Sequence, residues 1–432
     1  MPKVKFLTFN NIIALLMPAL LMAMTVTHDI VYLYLIFAMC IIRINKPLVI
    51  LPVYFVSSLS TGWFAIQEGM SAGRYLSVFL IFSLLIDLLA SKHYKYLGDV
   101  VLHVVFIFYC LVSTWLSVTG NMDPFFLMLQ SLVVLLLFEL RKNDDAGYLF
   151  DVFIYTGIIV IIGVAMAVFS EGLGAFANYR LGFNTDIDTN SNRIAMMMAQ
   201  IGTIMSLGAL KKGGVSLTGI FSIAGLLLCA FIIVLTGSRT GLLALVGSFL
   251  TVLITTGSRS IKKYFIPVLF LALAVYFALD WLSSMDIVGF SRMSAQDVSD
   301  TGGTGRMDAI WIMVKYIFPQ YPIFGVGLGG GNFVVLSLQF GMDHPCHNII
   351  FDSLCQLGIV GFTLLLLIVI RVYKRTYHHV RLDNNNLISL LGFALLLTAT
   401  INGIGETIYL EKIFWNAITL CVIGDNMAES SK

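Results

Sequence analysis

The chain predicts an all-α integral membrane protein of about fourteen transmembrane helices. Hydrophobic residues make up 58% of its 432 positions and charged residues only 12%, where a soluble domain normally carries about 25% charge. Mean hydropathy is +0.91. The apolar runs reach the roughly 20 residues that a helix needs to cross about 30 Å of hydrocarbon. They lack the period-2 alternation of a barrel strand, and backbone in lipid must satisfy its own polar groups.

Taken in order, the runs and their breaks place spans at 10–27, 29–44, 47–67, 75–91, 98–118, 124–140, 149–170, 193–210, 215–236, 239–256, 264–284, 347–370, 387–403 and 408–424. The first follows Lys3 and Lys5 and lacks a small-residue cleavage site, so it reads as an uncleaved span. The organisation is N-terminal helices over 1–170, a core over 171–370 with polar loops at 171–192 and 285–346, and C-terminal helices over 371–432. The six cysteines are scattered and form no CxxC, which speaks against a disulfide framework or a metal site. The net charge of +2 gives no reason to expect a nucleic-acid partner.

Basic residues set the expected orientation. With the N-terminus in the cytoplasm, only Arg74, Arg180, Arg193, Arg239, Arg292, Arg306, Lys315 and Lys412 of the 26 Lys and Arg fall outside. Both termini are then cytoplasmic, and both long polar loops face outward.

The outer face carries the chemistry. "NSNRIAMMM", "GSRTGLL" and "DHPCHNIIF" each open a span running inward, with Asn190 or Asn192, Ser238, and Asp343 or His344 as capping candidates. A helix N-terminus offers free N–H groups and partial positive charge to an anion. Arg193 and Arg239 stand in two of those first turns, and arginine grips phosphate as a bidentate fork. Arg180 in "NYRLGFN" and Arg306 in "TGRMDAIW" complete a set suited to an anionic ligand. A lone outer arginine would more simply snorkel to headgroups, but three helix starts with one pattern favour an anion site. His344 and His347 supply imidazoles suited to taking a proton near neutral pH.

Residues 306–318 space Met307, Ile310, Trp311, Val314, Ile317 and Phe318 as one apolar face, an amphipathic helix on the outer surface. The glycines of "YPIFGVGLGGGNF" read as a flexible loop or a place of close backbone approach. The D-x-D of Asp186 and Asp188 reads as solvated loop.

In this order and spacing, "GSRTG", "GRMDAIW…YPIFGVGLGGGNF" and "HNIIFDSLCQLGIVGF" resemble the O-antigen polymerase and O-antigen ligase superfamily of bacterial envelope enzymes, over roughly residues 175–370. The resemblance implies a GT-C-like helical fold in the bacterial inner membrane. It implies inverting glycosyl transfer at the periplasmic face, with neither metal nor other cofactor, from an undecaprenyl-diphosphate-linked oligosaccharide.

By the family pattern Arg239 and Arg306 bind the diphosphate, and His347 is the base that activates the acceptor hydroxyl. Arg180, Arg193, His344 and Asn348 are further substrate contacts. A second histidine, His344, departs from the pattern and leaves open which of the two is the base. Membrane lipid and a chain-length regulator protein are the other expected partners. The long loop 171–192 favours a polymerase, which joins lipid-linked repeats, over a ligase, which moves the finished polymer to lipid A–core. A flippase or transporter is the third reading. Against it, the charges within spans, Asp87, Glu139, Asp280, Asp352 and Glu411, lie toward span ends rather than at the midplane.

Overall fold

The computed structural model describes residues 8–60, 63–67, 70–91, 100–143, 145–171, 191–212, 216–255, 306–383 and 386–430. Among these the chain is helical apart from one short hairpin. The first half supplies α1 (Phe9–Thr27), α2 (Val31–Ile42), α3 (Pro47–Leu59), α4 (Ala72–Ser91), α5 (Val100–Trp115), α6 (Asp123–Leu140) and α7 (Leu149–Glu171). The second supplies α8 (Ser191–Lys212), α9 (Leu217–Thr236), α10 (Arg239–Thr255), α11 (Arg306–Ile312), α12 (Gly330–Ser337), α13 (Ile349–Leu382), α14 (Leu387–Asn402) and α15 (Lys412–Ser430).

Seven of these, α1, α4, α6, α7, α8, α9 and α13, are long and apolar enough to cross a membrane, and α2, α3, α5, α10 and α14 are shorter apolar helices. Each expected span coincides with a helix except 264–284, which lies outside the described residues, as do 172–190 and 256–305. The span expected over 47–67 is shorter than its apolar run. Its helix ends at Leu59, and β1 (Ala65–Gln67) pairs antiparallel with β2 (Met70–Ser71) before α4 begins.

α8 is the central helix, with every residue from Ile194 to Leu210 buried. It is also the least apolar of the seven, with a hydropathy of 1.4. A helix sheathed by others need not be greasy all round, provided its polar groups find partners. Most do: Gln200 Nε2 donates to the Leu395 carbonyl at 3.1 Å, and Thr203 Oγ1 lies 2.9 Å from Ser248 and 2.8 Å from Thr398, while Gln200 Oε1 has no partner among the described residues. α14 and α15 meet backbone to backbone, because a Cβ at Gly392 or Gly424 would collide with the main chain of Cys421 or Ser389.

The bundle has two charged ends. At one end lie the starts of α8, α10, α13 and α15. Arg141 occupies the other end, where it donates to Asp87 at 2.7 Å and to Asp145 at 2.9 and 3.0 Å. Lys212 with Asp151, and Arg375 with Glu429, are at that same end.

α13 is broken inside. Gly358 sits at φ 63°, ψ −173°, and the freed groups around it are met by the glycine segment before α12. Val326 N and Gly327 N donate to the carbonyls of Cys355 and Gln356 at 2.9 Å, and Ile359 N donates to Pro322 O at 2.9 Å. Tyr109 Oη donates to Leu357 O at 2.5 Å, and Gly329 N to the Gln356 side chain at 2.9 Å. Of the two readings of the glycine run, flexible loop or close backbone approach, the structure shows the second, with the α13 backbone as the neighbour. Gly325 stands so near the α13 backbone that a Cβ would come within 2.4 Å of Gln356. Non-helical backbone at such a position is tolerated only when protein satisfies it.

The amphipathic segment also differs from expectation. Its helix ends at Ile312 and continues as a π turn, Met313–Ile317. The buried side is Ala309, Ile312, Met313 and Ile317, whereas Met307, Trp311 and Val314 of the expected stripe are exposed. Met307 and Trp311 precede the π turn and, with Val314, leave an apolar face on the outside of the segment, as an amphipathic helix at a membrane surface presents.

Candidate functional site

The loop joining α14 to α15, residues 403–411, gathers the charged end of the bundle. At its centre is Glu406, whose side chain is 14% exposed. Asn192, in the first turn of α8, donates its amide to Oε1 at 2.9 Å. Arg306 Nη2 lies 3.9 Å from the same oxygen, and His347 Nδ1 lies 3.3 Å from Oε2. Burial alone would raise the pKa of this carboxyl. The hydrogen bond and charge of His347, followed by Asn192 and Arg306, outweigh it and hold the carboxyl below its ordinary value. Five residues on, Glu411 accepts from Arg193 Nη2 at 2.9 Å.

His347 has a left-handed backbone, φ 50°, a conformation that costs a non-glycine residue on the order of 1–3 kcal/mol and persists only where its surroundings enforce it. Here they do. The amides on either side, Cys346 N and Asn348 N, both donate to the buried Asp352 carboxylate, at 3.1 and 2.9 Å, and Thr407 Oγ1 closes on the same group. The capping residue is Asn348, not Asp343 or His344. Its side chain accepts from Ile350 N at 3.0 Å and Phe351 N at 3.3 Å, while its amide donates to Ile404 O at 3.1 Å. Ile349 N adds a 2.7 Å bond to Gly403 O. The turn bearing His347 is thus tied to the 403–411 loop at several points.

The ring of His344 lies 6.2 Å from that of His347, nearly parallel, with its Nδ1 3.0 Å from Pro345 O. Arg239 is the first residue of α10, half-buried, in a turn capped by Ser238 Oγ on Gly241 N at 3.4 Å. Its neighbour Thr240 lies against the buried Gly405, where a Cβ would stand 2.5 Å from Thr240 Cγ2 and 3.0 Å from Arg306 Nη1. A Cβ at Gly241 would sit 2.8 Å from that of Ala195, so α8 and α10 start side by side.

Of the residues predicted from sequence, Arg193, Arg306, His347 and Asn348 therefore converge on one loop, with Arg239 one residue from it and His344 beside His347. Arg180, Asp186 and Asp188 lie outside the described residues. Of the two capping candidates for α8, Asn190 lies outside the described residues, and Asn192 donates its amide to Glu406.

Glu406, Glu411, Asp352 and Thr407 were missed as site residues. Their trace in the sequence is slight: Glu406 and Thr407 fall in the short gap before the last apolar run, and Glu411 and Asp352 read only as charges near span ends. Cys346 is no nucleophile, since burial and then the nearby Asp352 push its thiol well up.

A many-helixed apolar bundle with one end where arginines, carboxylates and a histidine converge defines a multi-pass membrane protein with a polar site at a helix-terminal face. Residues 224–366 match the family model described as O-Antigen ligase, so the resemblance to the O-antigen polymerase and ligase superfamily holds. The chain is in that segment similar to glycosyltransferase-like membrane enzymes, which supports ligase- or polymerase-like activity in general. A comparison with curated proteins gave no match. The matched segment contains Arg239, Arg306, His344, His347 and Asn348. Asn192, Arg193 and the whole 403–411 loop lie beyond it.

Proposed function

We propose that the chain is a polymerase for O-antigen or a related surface polysaccharide, joining undecaprenyl-diphosphate-linked repeat units by metal-independent, inverting transfer on a GT-C-like fold of about fourteen spans. It sits in the bacterial inner membrane with both termini cytoplasmic and the site facing the periplasm, where a chain-length regulator protein is its expected partner. The observation that carries this reading is the convergence of His347, Arg306 and Arg193 on one loop, beside the start of α10 that bears Arg239. In the reaction His347 takes the proton of the acceptor hydroxyl as its oxygen bonds to the anomeric carbon. The bond from that carbon to the diphosphate breaks, and its electron pair leaves on the diphosphate. Arg239 and Arg306 stabilise that charge without a metal, Arg180, Arg193, His344 and Asn348 are further substrate contacts, and a positioned base adds about 10²–10⁴-fold.

The description O-Antigen ligase of the matching family favours a second reading, transfer of the finished polymer to lipid A–core. The envelope glycan of a deletion strain separates the two. Core capped by a single repeat supports the polymerase. Uncapped core with accumulated lipid-linked polymer supports the ligase, and loss of periplasmic lipid-linked repeats points instead to a flippase. Sidedness is tested by impermeant maleimide on spheroplasts. Cysteines placed near 180 and 300 should label and one near 143 should not, and the reverse pattern overturns the orientation.

A further inference from the structure

We propose that Glu406 is a positioning residue for the transfer reaction, orienting His347 and supplying the negative charge that makes it a base. This rests on His347 being that base. A carboxylate only accepts, so the His347 nitrogen facing it, Nδ1 at 3.3 Å, carries the ring proton. The neutral imidazole is then left with a bare Nε2 toward an acceptor hydroxyl. When Nε2 takes the hydroxyl proton, the imidazolium that forms sits against a carboxylate already charged, as in the orienting acid of a catalytic triad. Glu406 is itself held by the 2.9 Å bond from Asn192, and Thr407, its chain neighbour, binds the Asp352 carboxylate that fixes the His347 turn.

The same Glu406 oxygen that meets Asn192 also faces Arg306, at a loose 3.9 Å. An arriving diphosphate competes for that arginine, and once Arg306 has turned to it, His347 is the charged partner left to the carboxylate, with Asn192 still donating to it. Donor binding and base activation are thereby coupled through one side chain. The charged and titratable groups facing His347 are Glu406 from the 403–411 loop, Asp352 from α13, Arg306 at the start of α11 and His344 in its own turn. Of these, Glu406 is the carboxylate paired with the ring.

The test uses the full chain in nanodiscs, with a synthetic undecaprenyl-diphosphate-linked repeat as donor and probe. Glu406→Gln keeps size and removes charge. It should lower kcat by about 10²-fold, the lower end of what a positioned base supplies, with the donor KM lowered because Arg306 no longer has a carboxylate to leave. The acid limb of the kcat profile should move to lower pH, because a neighbouring negative charge favours the imidazolium. Glu406→Asp should recover part of the rate, and the double variant with His347→Ala should be no slower than His347→Ala alone. If Glu406→Gln left kcat and the pH profile intact while His347→Ala was inactive, the positioning role would fall and the base assignment would stand. If His347→Ala turned over normally, both would fall. A double variant much slower than either single would also overturn it, since Glu406 would then act independently of the histidine.

Discussion

The two ends of the bundle use the same residues to opposite purposes. At the far end Arg141 is 7% exposed and closed by two carboxylates, with Asn143 Oδ1 accepting from Nη1 at 2.9 Å. At the site end Arg193 is 40% exposed on Glu411, and Arg306 is 30% exposed on Glu406 at 3.9 Å. A guanidinium offers five donors in a fixed fork. The far-end arginine has spent most of them within the protein, whereas the site-end arginines are partly open to solvent, and the partner of Arg306 is loose. The same charges lock helices together where their bonds are saturated and stay accessible where they are not.

If that contrast is right, the largest stability effect belongs to the far end. Arg141→Ala should cost roughly 3 kcal/mol, the lower part of the range for breaking a buried pair because Asp145 is 57% exposed and regains solvent. A melting curve of the detergent-purified chain reads this out, and an unshifted transition would erase the distinction between the ends. Arg239→Ala and His347→Ala should do the reverse, leaving the melting curve in place while transfer falls by about 10²-fold or more, near 2.7 kcal/mol of barrier. Arg239→Lys should rescue only in part, since a point charge does not reproduce the fork. His344→Ala should be milder than His347→Ala. Wild-type rates in Arg239→Ala at equal protein would remove that arginine from the diphosphate site.

Next is filling the break in α13. Gly358→Ala imposes a side chain at φ 63° with its Cβ 2.2 Å from Ile323 O, so the conformation alone costs about 1–3 kcal/mol and relieving the backbone clash adds to it. An unchanged melting temperature would mean that this close approach is not rigid. Smallest is a pH effect. Glu406 has its folded pKa depressed, so its contribution to stability is fully present above the ordinary carboxylate range and disappears as pH falls through the depressed value. Acid titration of wild type against Glu406→Gln should show the variant losing less stability over that range, and parallel curves would argue against the ion pairing drawn here.

Much of the bundle was legible because burial in lipid is written residue by residue. Runs of twenty apolar positions state a span whatever surrounds them, and Ser238 before "RTGLL" states a helix start. The cap of α13 was misplaced by several residues because Asp343, His344 and Asn348 are all good caps, and only the left-handed turn at His347 selects Asn348. The glycine run was visible, but its partner, the break at Gly358, lies nearly thirty residues away in sequence. Arg193, Arg306 and His347 could be picked out as polar outliers in an apolar chain. Glu406 could not, because a carboxylate between two apolar runs looks like any residue that marks a loop.

Sequence alone determined the all-helical class, the positions of most helices, the separation of basic residues between two ends and the arginines and histidines of the candidate site, because each follows from local hydropathy, capping and charge. Tertiary structure alone decided that the 403–411 loop carries Glu406 to Asn192, Arg306 and His347, and Glu411 to Arg193. It alone turned the glycine segment into the plug of a broken helix. Those partners are separated by dozens to hundreds of residues, and an ion pair or a backbone contact at such separation depends on how the helices pack, which no periodicity within one of them records.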